Sequence, residues 1–460
     1  MADIYQLNDK PQIPQDFFVE KLDDSLLILH PDTSAWLELN ATGLLLLQLA
    51  DGNRTINDIV LSLAQRYQRS PTQVSADTLA FFNNLSRSGF LGPDRADQSS
   101  SSRAPAQANH LFLHLTQECN LACPHCYTHS DPHYTRKPGA DKVEKLLDDC
   151  AQQGFTSITI SGGEPLLYPE LEKILHHARA HFHVSLITNG TLLTPSLIKV
   201  LKETCHSIQI SLDGSTAAVH DNIRGPGSYD ETIQGLKLLQ DSACGDKVSL
   251  CATVSRKNIH DVPAIIDFAD RIGIPILRFL PLMVQGRASN LKDDLLPEDR
   301  DLIKLYDSIL PYLTGKRSGT TITGFMSGLL MQPIPGAHRD QWCPVGRSFI
   351  MKFNGDIAPC ILMMDKNWKI GNLFRDKLSD IMNNKQMQHL SLMIRRRRDL
   401  IERCRTCSWK NLCQAGCPGI ALQHTGTFKD VDRFCDYRRE LYPRLFSQML
   451  RQRREQLAEL

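Results

Sequence analysis

Three cysteines that lie close together are the residues with the clearest chemical potential. Cys119, Cys123 and Cys126 fall within eight residues, in the spacing C-x3-C-x2-C. Three thiolates can hold three irons of a cubane [4Fe–4S] cluster, which normally takes four cysteines. The fourth iron is then open to a substrate or a cofactor. A zinc site is the alternative, because His125 and His129 could complete a ligand set with the thiolates.

A second group of seven cysteines follows toward the C-terminal end. Its members are Cys343, Cys360, Cys404, Cys407, Cys413, Cys417 and Cys435. Two closed cubanes need eight cysteines, so this group leaves one iron without a cysteine ligand. Zinc is again the alternative, here for the four cysteines between residues 404 and 417. The remaining cysteines lie in helix or strand patterns and are predicted to be small buried core residues: Cys150, Cys205, Cys244 and Cys251.

The segment that positions the first cysteine group alternates between strand and helix from residue 110 to about 290. Six strands are predicted, at Leu111–Thr116, Ser157–Ser161, Val184–Thr188, Ser207–Leu212, Val248–Val254 and Ile276–Leu280. This alternation indicates an α/β fold with parallel strands, an open or partial (β/α)6 barrel. Active sites in such folds lie at the carboxyl ends of the strands, and the cysteine loop directly follows the first strand.

Glycine-rich and polar turns follow the next three strands. Their candidate ligand-binding residues are Gly162, Gly163, Glu164, Asn189, Ser211, Asp213 and, on a later turn, Arg224. Glycines let a backbone approach closely, and a glutamate can pair with an ammonium group. The serine and aspartate suit a ribose, and the arginine could reach a carboxylate. Each turn alone is a weak signal, but together they predict one ligand site.

In this order, the cysteine loop and the turns resemble the radical SAM superfamily. The resemblance implies an enzyme in which S-adenosylmethionine fills the open site of the first cluster and is cleaved to a 5′-deoxyadenosyl radical. It assigns the Gly162–Glu164 turn to the methionine amino group and the Ser211–Asp213 turn to the ribose side. It also implies an external electron donor of the flavodoxin or ferredoxin type. It identifies no general base.

The seven-cysteine group resembles the SPASM extension of radical SAM enzymes, which houses auxiliary [4Fe–4S] clusters. The resemblance implies that one cluster is closed by Cys404, Cys407, Cys413 and Cys435. It implies that a second is held through three irons by Cys343, Cys360 and Cys417. The fourth iron of that second cluster is open, or is taken by a non-cysteine side chain or by substrate.

Residues 1–92 are predicted to form a separate small domain. Two or three short strands and three helices suggest a winged-helix arrangement. The stretches His30-Pro31, Trp36-Leu-Glu-Leu-Asn40 and Asp51-Gly-Asn-Arg-Thr55 resemble the PqqD-like family, also called the peptide recognition element. The resemblance implies that the leader of a precursor peptide adds as a strand to an open sheet edge. A packing or dimerisation domain is the alternative; DNA binding is disfavoured because no helix here is markedly basic.

The rest of the chain divides by composition. Residues 93–108 are rich in serine and predict a flexible linker, with the N-terminal domain tethered rather than built in. Residues 109–290 form the barrel, 291–342 a mostly helical bridge and 343–460 the auxiliary-cluster domain. The run Arg395–Arg398 is interpreted as a solvated helix face.

Charge and hydropathy exclude several classes. Lys+Arg minus Asp+Glu is 52 − 51 = +1, so no overall basic field argues for nucleic acid. The chain has no apolar stretch long enough for a membrane span and does not begin like a signal peptide, so we expect a cytoplasmic protein.

These patterns favour an enzyme that modifies a ribosomally made precursor peptide after hydrogen abstraction by the adenosyl radical. The product could be a thioether, a carbon–carbon crosslink or an epimer. One alternative is a radical SAM enzyme acting on a tetrapyrrole or another small molecule. Another is a non-enzymatic iron–sulfur peptide chaperone.

Overall fold

The structure is a computed structural model that describes residues 5–23, 25–33, 35–88, 90, 109–313, 319–324 and 343–458. The predicted linker at 93–108 and part of the predicted bridge lie outside these residues. Within the described residues, no helix combines the length and the apolar character needed to span a membrane.

The N-terminal domain contains a three-stranded antiparallel sheet and three helices. The strands are β1 (Phe18–Lys21), β2 (Leu26–Leu29) and β3 (Trp36–Leu39), in the order β1-β2-β3. The helices are α1 (Ala41–Leu49), α2 (Ile56–Tyr67) and α3 (Pro71–Ser88). Side-chain caps begin α1 at Asn40 and α2 at Thr55, which explains why the helices start there. The three predicted helices and the strands β2 and β3 are confirmed.

The barrel consists of six parallel strands, each at or within one residue of its predicted bounds. They are β4 (His110–Thr116), β5 (Ser157–Gly162), β6 (His183–Thr188), β7 (Ser207–Ser211), β8 (Val248–Val254) and β9 (Ile276–Pro281). The helices between them are α4 (Ala140–Gln152), α5 (Leu171–Arg179), α6 (Pro195–Thr204), α7 (Ala217–Arg224), α8 (Ser228–Asp241) and α9 (Val262–Arg271). Alternate residues of the strands are buried between the sheet and these helices, as expected for a partial (β/α) barrel.

The sheet continues beyond the predicted barrel on both sides. On one side β10 (Thr321–Gly324) pairs in parallel with β9, although the 291–342 bridge was predicted to be mostly helical. The helices of that bridge are α10 (Lys292–Leu295) and α11 (Asp299–Leu313). On the other side β11 (Ser348–Met351) pairs in parallel with β4, followed by β12 (Asp356–Ala358) and β13 (Gly371–Asn372). The C-terminal region is therefore part of the same ten-stranded sheet.

The C-terminal region after β13 is helical. Its helices are α12 (Leu378–Met382), α13 (Lys385–Arg395), α14 (Arg397–Leu400), α15 (Glu402–Arg405), α16 (Lys410–Cys413), α17 (Pro418–Thr425) and α18 (Cys435–Ala458). Short 3-10 turns occur at Pro165–Leu167, Gly245–Lys247, Ile259–Asp261, Gly286–Asn290 and Lys366–Trp368. Leu441, Phe446 and Leu450 of α18 are buried in the main core, so the last helix packs on the cysteine-rich region as expected.

The N-terminal domain is docked on this C-terminal region, which corrects the prediction of a domain that is only tethered. Leu27 and Leu29 of β2 belong to the same buried core as Phe446 of α18. Helices α1–α3 cover only the opposite face of the three-stranded sheet, where Ile28 is buried. The missed signal was the run Leu26–Leu29, because apolar residues at every strand position indicate burial on both faces.

Specific contacts hold this interface. The Trp36 ring meets the Phe446 ring edge-on, with centroids 5.0 Å apart. The Asn411 side-chain amide donates to the carbonyl oxygens of His30 at 3.1 Å and Pro31 at 2.8 Å. An edge-on aromatic pair stabilises an interface beyond the effect of burying its apolar surface. The N-terminal domain is therefore held by a specific contact.

Candidate functional site

The first cysteine group lies at the carboxyl end of the barrel sheet, directly after β4. Cys123 is buried, whereas Cys119 and Cys126 are partly buried. Burial raises the pKa of Cys119 to about 12 and that of Cys123 to about 11, and the neighbouring thiols contribute in the same direction. Clustered buried thiols of this kind are costly to ionise alone, and a bound metal centre would relieve that cost.

The distances between potential ligand atoms bear on the zinc alternative. Zinc binds thiolates at ~2.3 Å in a tetrahedron, so their sulfurs would lie less than about 4 Å apart. Among the described residues, the only potential metal-ligand atoms that form a trio within 4.8 Å are those of Asp148, His177 and His181. In the part of the chain that the structure describes, no three cysteine sulfurs lie as close together as one bound zinc ion would hold them.

The two glycines at the end of β5, Gly162 and Gly163, approach the cysteine loop itself. A Cβ at Gly163 would lie 2.1 Å from the Glu118 carbonyl oxygen, and Gly162 has a φ of +134°. The Gly163 N–H donates to the carbonyl oxygen of Thr116 at 2.8 Å. Only glycine fits such an approach, so this turn holds the loop against the sheet end.

Glu164 lies beside this turn and is 1% exposed. Its carboxylate accepts hydrogen bonds from the Thr188 hydroxyl at 2.6 Å and the Asn189 backbone N–H at 2.8 Å. Burial raises the pKa of Glu164 to about 7 despite these bonds. The Asn189 side chain in turn donates to Asn120 in the cysteine loop at 2.9 Å. The structure thus brings Glu164 and Asn189 together beside the thiols.

Asp213 and Arg224 form a buried ion pair on the other side of the loop. The Arg224 Nε donates to the Asp213 carboxylate at 2.7 Å, and the Thr253 N–H donates to its other oxygen at 2.8 Å. His125 Nε2 lies 3.4 Å from the same carboxylate. Burial opposes ionisation of Asp213, but Arg224 and His125 outweigh it and hold the pKa below its usual range. Asp213 is thus engaged by protein groups and orients the guanidinium of Arg224.

Ser211 is the last residue of β7 and pairs in register with Cys251 of β8. Cys150, Cys205 and Cys244 lie in the main apolar core, as predicted. Cys251 is buried as well, but burial and then the charge of Asp213 raise its pKa to about 12. It is thus a buried residue, as predicted, that lies close to Asp213.

The turn after β9 supports the cysteine loop; its Gly286-Arg-Ala288 sequence matches the usual end of the sixth strand in the radical SAM superfamily, but no contact with the loop was predicted for it. The Arg287 Nε donates to the carbonyl oxygen of Cys123 at 2.9 Å, and its Nη2 donates to that of Ser130 at 2.6 Å. A Cβ at Gly286 would lie 2.4 Å from the carbonyl oxygen of Cys126. The Gly286-Arg287 pair directly beyond a barrel strand was the available signal.

The seven C-terminal cysteines form two groups. Cys404, Cys407, Cys413 and Cys435 line one pocket; we call them the four-thiol group. Cys343, Cys360 and Cys417 influence one another's ionisation, and we call them the three-thiol group. Burial is the main cause that raises the pKa of Cys417 to about 12, and Asp432 and Cys343 add to it.

The run Arg395–Arg398 is not uniformly exposed to solvent, which corrects its interpretation as a solvated helix face. Arg395 and Arg396 are exposed, but Arg397 is 1% exposed. Its guanidinium donates to the carbonyl oxygens of Gly416, Phe428 and Asp430 at 2.7–2.8 Å. Arg397 can be buried because backbone carbonyl oxygens accept all three of its hydrogen bonds. The sequence of the charged run does not indicate these acceptors.

Three known families match successive parts of the chain. Residues 113–269 match the radical SAM superfamily, residues 25–91 match coenzyme PQQ synthesis protein D (PqqD), and residues 343–408 match the iron–sulfur cluster-binding SPASM domain. The chain therefore contains radical SAM, PqqD and SPASM domains, and it is a radical SAM enzyme. The non-enzymatic alternative is wrong.

Particular relatives share most of the chain. Mycofactocin maturase MftC of Mycolicibacterium smegmatis is 29% identical over 67% of this chain and 77% of its own length. AdoMet-dependent heme synthase of Methanosarcina barkeri is 27% identical over 70% and 95%. The subtilosin biosynthesis protein AlbA of Bacillus subtilis, named for an antilisterial bacteriocin, is 26% identical over 76% and 77%.

Among solved structures, SuiB of Streptococcus suis bound to precursor peptide SuiA has the same overall fold. The TM-score is 0.59 at 16% identity, and the match covers 92% of this chain and 99% of SuiB. At this identity the likeness concerns the fold alone. It extends over the PqqD, barrel and cluster regions together.

Proposed function

We propose that this enzyme modifies a ribosomally made precursor peptide. The observation that carries the proposal is the docking of the PqqD domain on the SPASM region, through the Trp36–Phe446 contact and the Asn411 hydrogen bonds. A domain type associated with peptide recognition is thereby held at a fixed position beside the four-thiol group. The bacteriocin in AlbA's name and the precursor peptide bound to SuiB add support.

The cofactor assignment rests on donor type and placement. Cys119, Cys123 and Cys126 would hold a [4Fe–4S] cluster with one open iron for S-adenosylmethionine. Glu164 would pair with the methionine ammonium, and Gly162, Gly163 and Asn189 would shape that side of the pocket. Ser211 would face the ribose side, and Arg224, oriented by Asp213, would bind the carboxylate. Bound together, the cluster and S-adenosylmethionine would supply a 5′-deoxyadenosyl radical for hydrogen abstraction from the peptide.

The SPASM region would hold two auxiliary [4Fe–4S] clusters. The four-thiol group would close one cubane, while the three-thiol group would leave one iron for a further ligand, such as a substrate thiolate. An external one-electron donor of the flavodoxin or ferredoxin type would reduce the enzyme. The reaction would take place in the cytoplasm, where thiols stay reduced.

The leader would bind at the three-stranded sheet. Both β1 and β3 are outer strands, so each offers unpaired backbone groups to an added strand. A groove runs along β1 and is bounded on its other side by the SPASM region. It is lined by Val19 and Glu20 of β1 and by Ser408 and Arg439 opposite, and it reaches Cys407. A leader bound at this sheet would therefore hold the core of the peptide near the clusters.

A tetrapyrrole or other small-molecule substrate is the second candidate. It is favoured by the heme synthase of Methanosarcina barkeri, of which this chain covers 95%. A tetrapyrrole enzyme has no need of a strand-binding sheet, so substrate binding to the PqqD domain separates the two candidates.

The deciding experiment uses the full-length protein, reconstituted anaerobically with iron and sulfide. It is incubated with S-adenosylmethionine, a reductant, and one of three substrates: a precursor peptide, the same peptide without its leader, or an iron porphyrin. We expect 5′-deoxyadenosine formation and a mass change of the peptide only with the full-length precursor. Stimulation by the porphyrin with no change to the peptide would instead support the second candidate.

A further inference from the structure

Arg397 lies between the two auxiliary cysteine groups. Its side chain is 1% exposed, so water screens its charge only weakly. Its Nη1 donates to the carbonyl oxygen of Gly416 at 2.8 Å, and Gly416 lies between Cys413 of the four-thiol group and Cys417 of the three-thiol group. One buried cation is therefore placed next to both sites.

The guanidinium has no carboxylate partner among the described residues. All three of its hydrogen bonds go to neutral backbone carbonyls, those of Gly416, Phe428 and Asp430. The acidic side chain with the largest influence on it is Asp432. That carboxylate already accepts two hydrogen bonds from Arg438 and one from the Cys417 N–H.

Arg438 provides the contrast within the same region. It is also buried, at 5% exposure, but it forms an ion pair with Asp432. An unpaired buried cation is costly, and proteins normally pair it with an anion. The remaining anions near Arg397 are the thiolates of Cys404, Cys413 and Cys417, which are charged when a metal centre is bound.

The charge of the clusters supplies the missing counterion. Thiolates outnumber the positive charge of an oxidised cubane core, so each loaded cluster is anionic and becomes more so on reduction. Net charge and hydrogen bonding around the cluster are the protein's means of setting its potential. A fixed cation inside the protein, where screening is weak, favours the reduced form of every cluster that it faces.

We propose that Arg397 is a positioning residue that raises the reduction potentials of both auxiliary clusters together and so favours electron entry from the substrate. This proposal rests on the proposed cluster assignment and adds that one buried charge controls the electrostatics of both sites. Its charge is the active feature, while its three carbonyl bonds only fix the place of that charge.

The test compares Arg397→Gln, Arg397→Lys and the matched control Arg396→Gln, which removes an exposed charge from the neighbouring position. All three are made in a background with Cys119, Cys123 and Cys126 replaced by Ala, so that only auxiliary clusters remain. Iron content is measured first, and EPR-monitored redox titration then gives the potentials. For Arg397→Gln, we expect the ratio of reduced to oxidised cluster at a fixed potential to fall about tenfold at both sites. This corresponds to a decrease of the reduction potential by ~59 mV for a one-electron couple. Arg397→Lys and Arg396→Gln should stay near the parent values.

Each outcome bears on the proposal. Unchanged potentials in iron-replete Arg397→Gln protein would overturn it, and so would a shift confined to one cluster. If Arg397→Gln loses iron, the Arg397→Lys variant distinguishes the role of the charge from that of the hydrogen bonds. Lysine keeps the positive charge but cannot form all three hydrogen bonds to the carbonyl oxygens. Iron retained with Lys supports the charge role, and equal loss with Lys overturns it. A parent protein without auxiliary iron would overturn the cluster assignment itself, which is a separate failure.

Discussion

The barrel site and the SPASM region organise their cysteines in opposite ways. In the barrel, one loop of eight residues supplies all three thiols, and the ends of successive strands supply the groups around them. In the SPASM region, the thiols come from segments spread between Cys343 and Cys435, and buried charges such as Arg397 and the Asp432–Arg438 pair hold them together. A site formed by one loop can be predicted from a short sequence motif. A site formed by distant segments depends on buried charged residues that belong to no motif.

The largest expected effect separates the two regions completely. Replacing Cys119, Cys123 and Cys126 by Ala should remove about four of roughly twelve irons and abolish 5′-deoxyadenosine formation, because only this cluster has the site for S-adenosylmethionine. Iron analysis and chromatography of 5′-deoxyadenosine measure both. Cys150→Ala, in the apolar core, is the control and should keep all the iron. Zinc with little iron in freshly purified anaerobic protein would contradict the assignment.

The next effect distinguishes the two groups within the SPASM region. Cys417→Ala should leave cleavage of S-adenosylmethionine largely intact but block the product, if a substrate sulfur binds the open iron of the three-thiol group. Cys413→Ala, in the four-thiol group, should impair electron flow or folding instead. Mass spectrometry of the precursor peptide reports the product. A normal crosslinked peptide from Cys417→Ala would refute the sulfur-binding role.

A smaller effect concerns the barrel site alone. Glu164→Gln should weaken binding of S-adenosylmethionine by ~10- to 100-fold, because a charge-assisted hydrogen bond contributes about 1.5–3 kcal/mol. Since the pKa of Glu164 is about 7, its carboxylate is lost as the pH falls through that value. Wild-type affinity should therefore decrease from about pH 8 to about pH 6, and that of the variant should stay flat. Calorimetric titration of reconstituted protein tests this, with Glu118→Gln, which removes an ion pair to Lys137, as the control.

The smallest effect identifies the edge that binds the leader. Leu22 N–H bonds to Ser25 O and His30 N–H to Ala35 O, both at 3.0 Å. Because bonded and non-bonded pairs alternate in antiparallel sheets, the N–H groups of Val19 on β1 and Glu38 on β3 point outward. Val19→Pro and Glu38→Pro each remove one such donor.

We expect only one of these two proline variants to weaken leader binding, by about tenfold, and each serves as the control for the other. Titration of the full-length variants with the leader peptide gives the affinities. Equal affinities for wild type and both variants would contradict addition of the leader as a strand.

The same contrast explains how much could be predicted from the sequence. The six barrel strands were predicted to within one residue, because parallel strands bury continuous apolar runs and sharp turns bound them. The placement of Glu164 near the cysteine loop also followed, since carboxyl ends of parallel strands meet at one edge of the sheet. Local pattern and topology were sufficient there.

Elsewhere the decisive interactions were not local. Strand β11 is only four residues long and gains its place by pairing with β4, more than 200 residues earlier in the chain. The burial of Arg397 depends on carbonyl groups up to 33 residues away. The docking of the PqqD domain depended on a second apolar face whose partner, α18, lies at the far end of the chain. Such interactions leave only indirect traces in a sequence.

The pairing of β11 with β4 also limits how this protein can be recombined with its relatives. A chimera joined between the barrel and the SPASM region would have to cut through a continuous hydrogen-bonded sheet, leaving β4 with an exposed edge next to the cysteine loop. Residues 343–372 must therefore travel with the barrel. Because Cys343 and Cys360 belong to the same three-thiol group as Cys417, the rest of the SPASM region must travel with them. Such enzymes can then exchange the barrel and the SPASM region only as one unit.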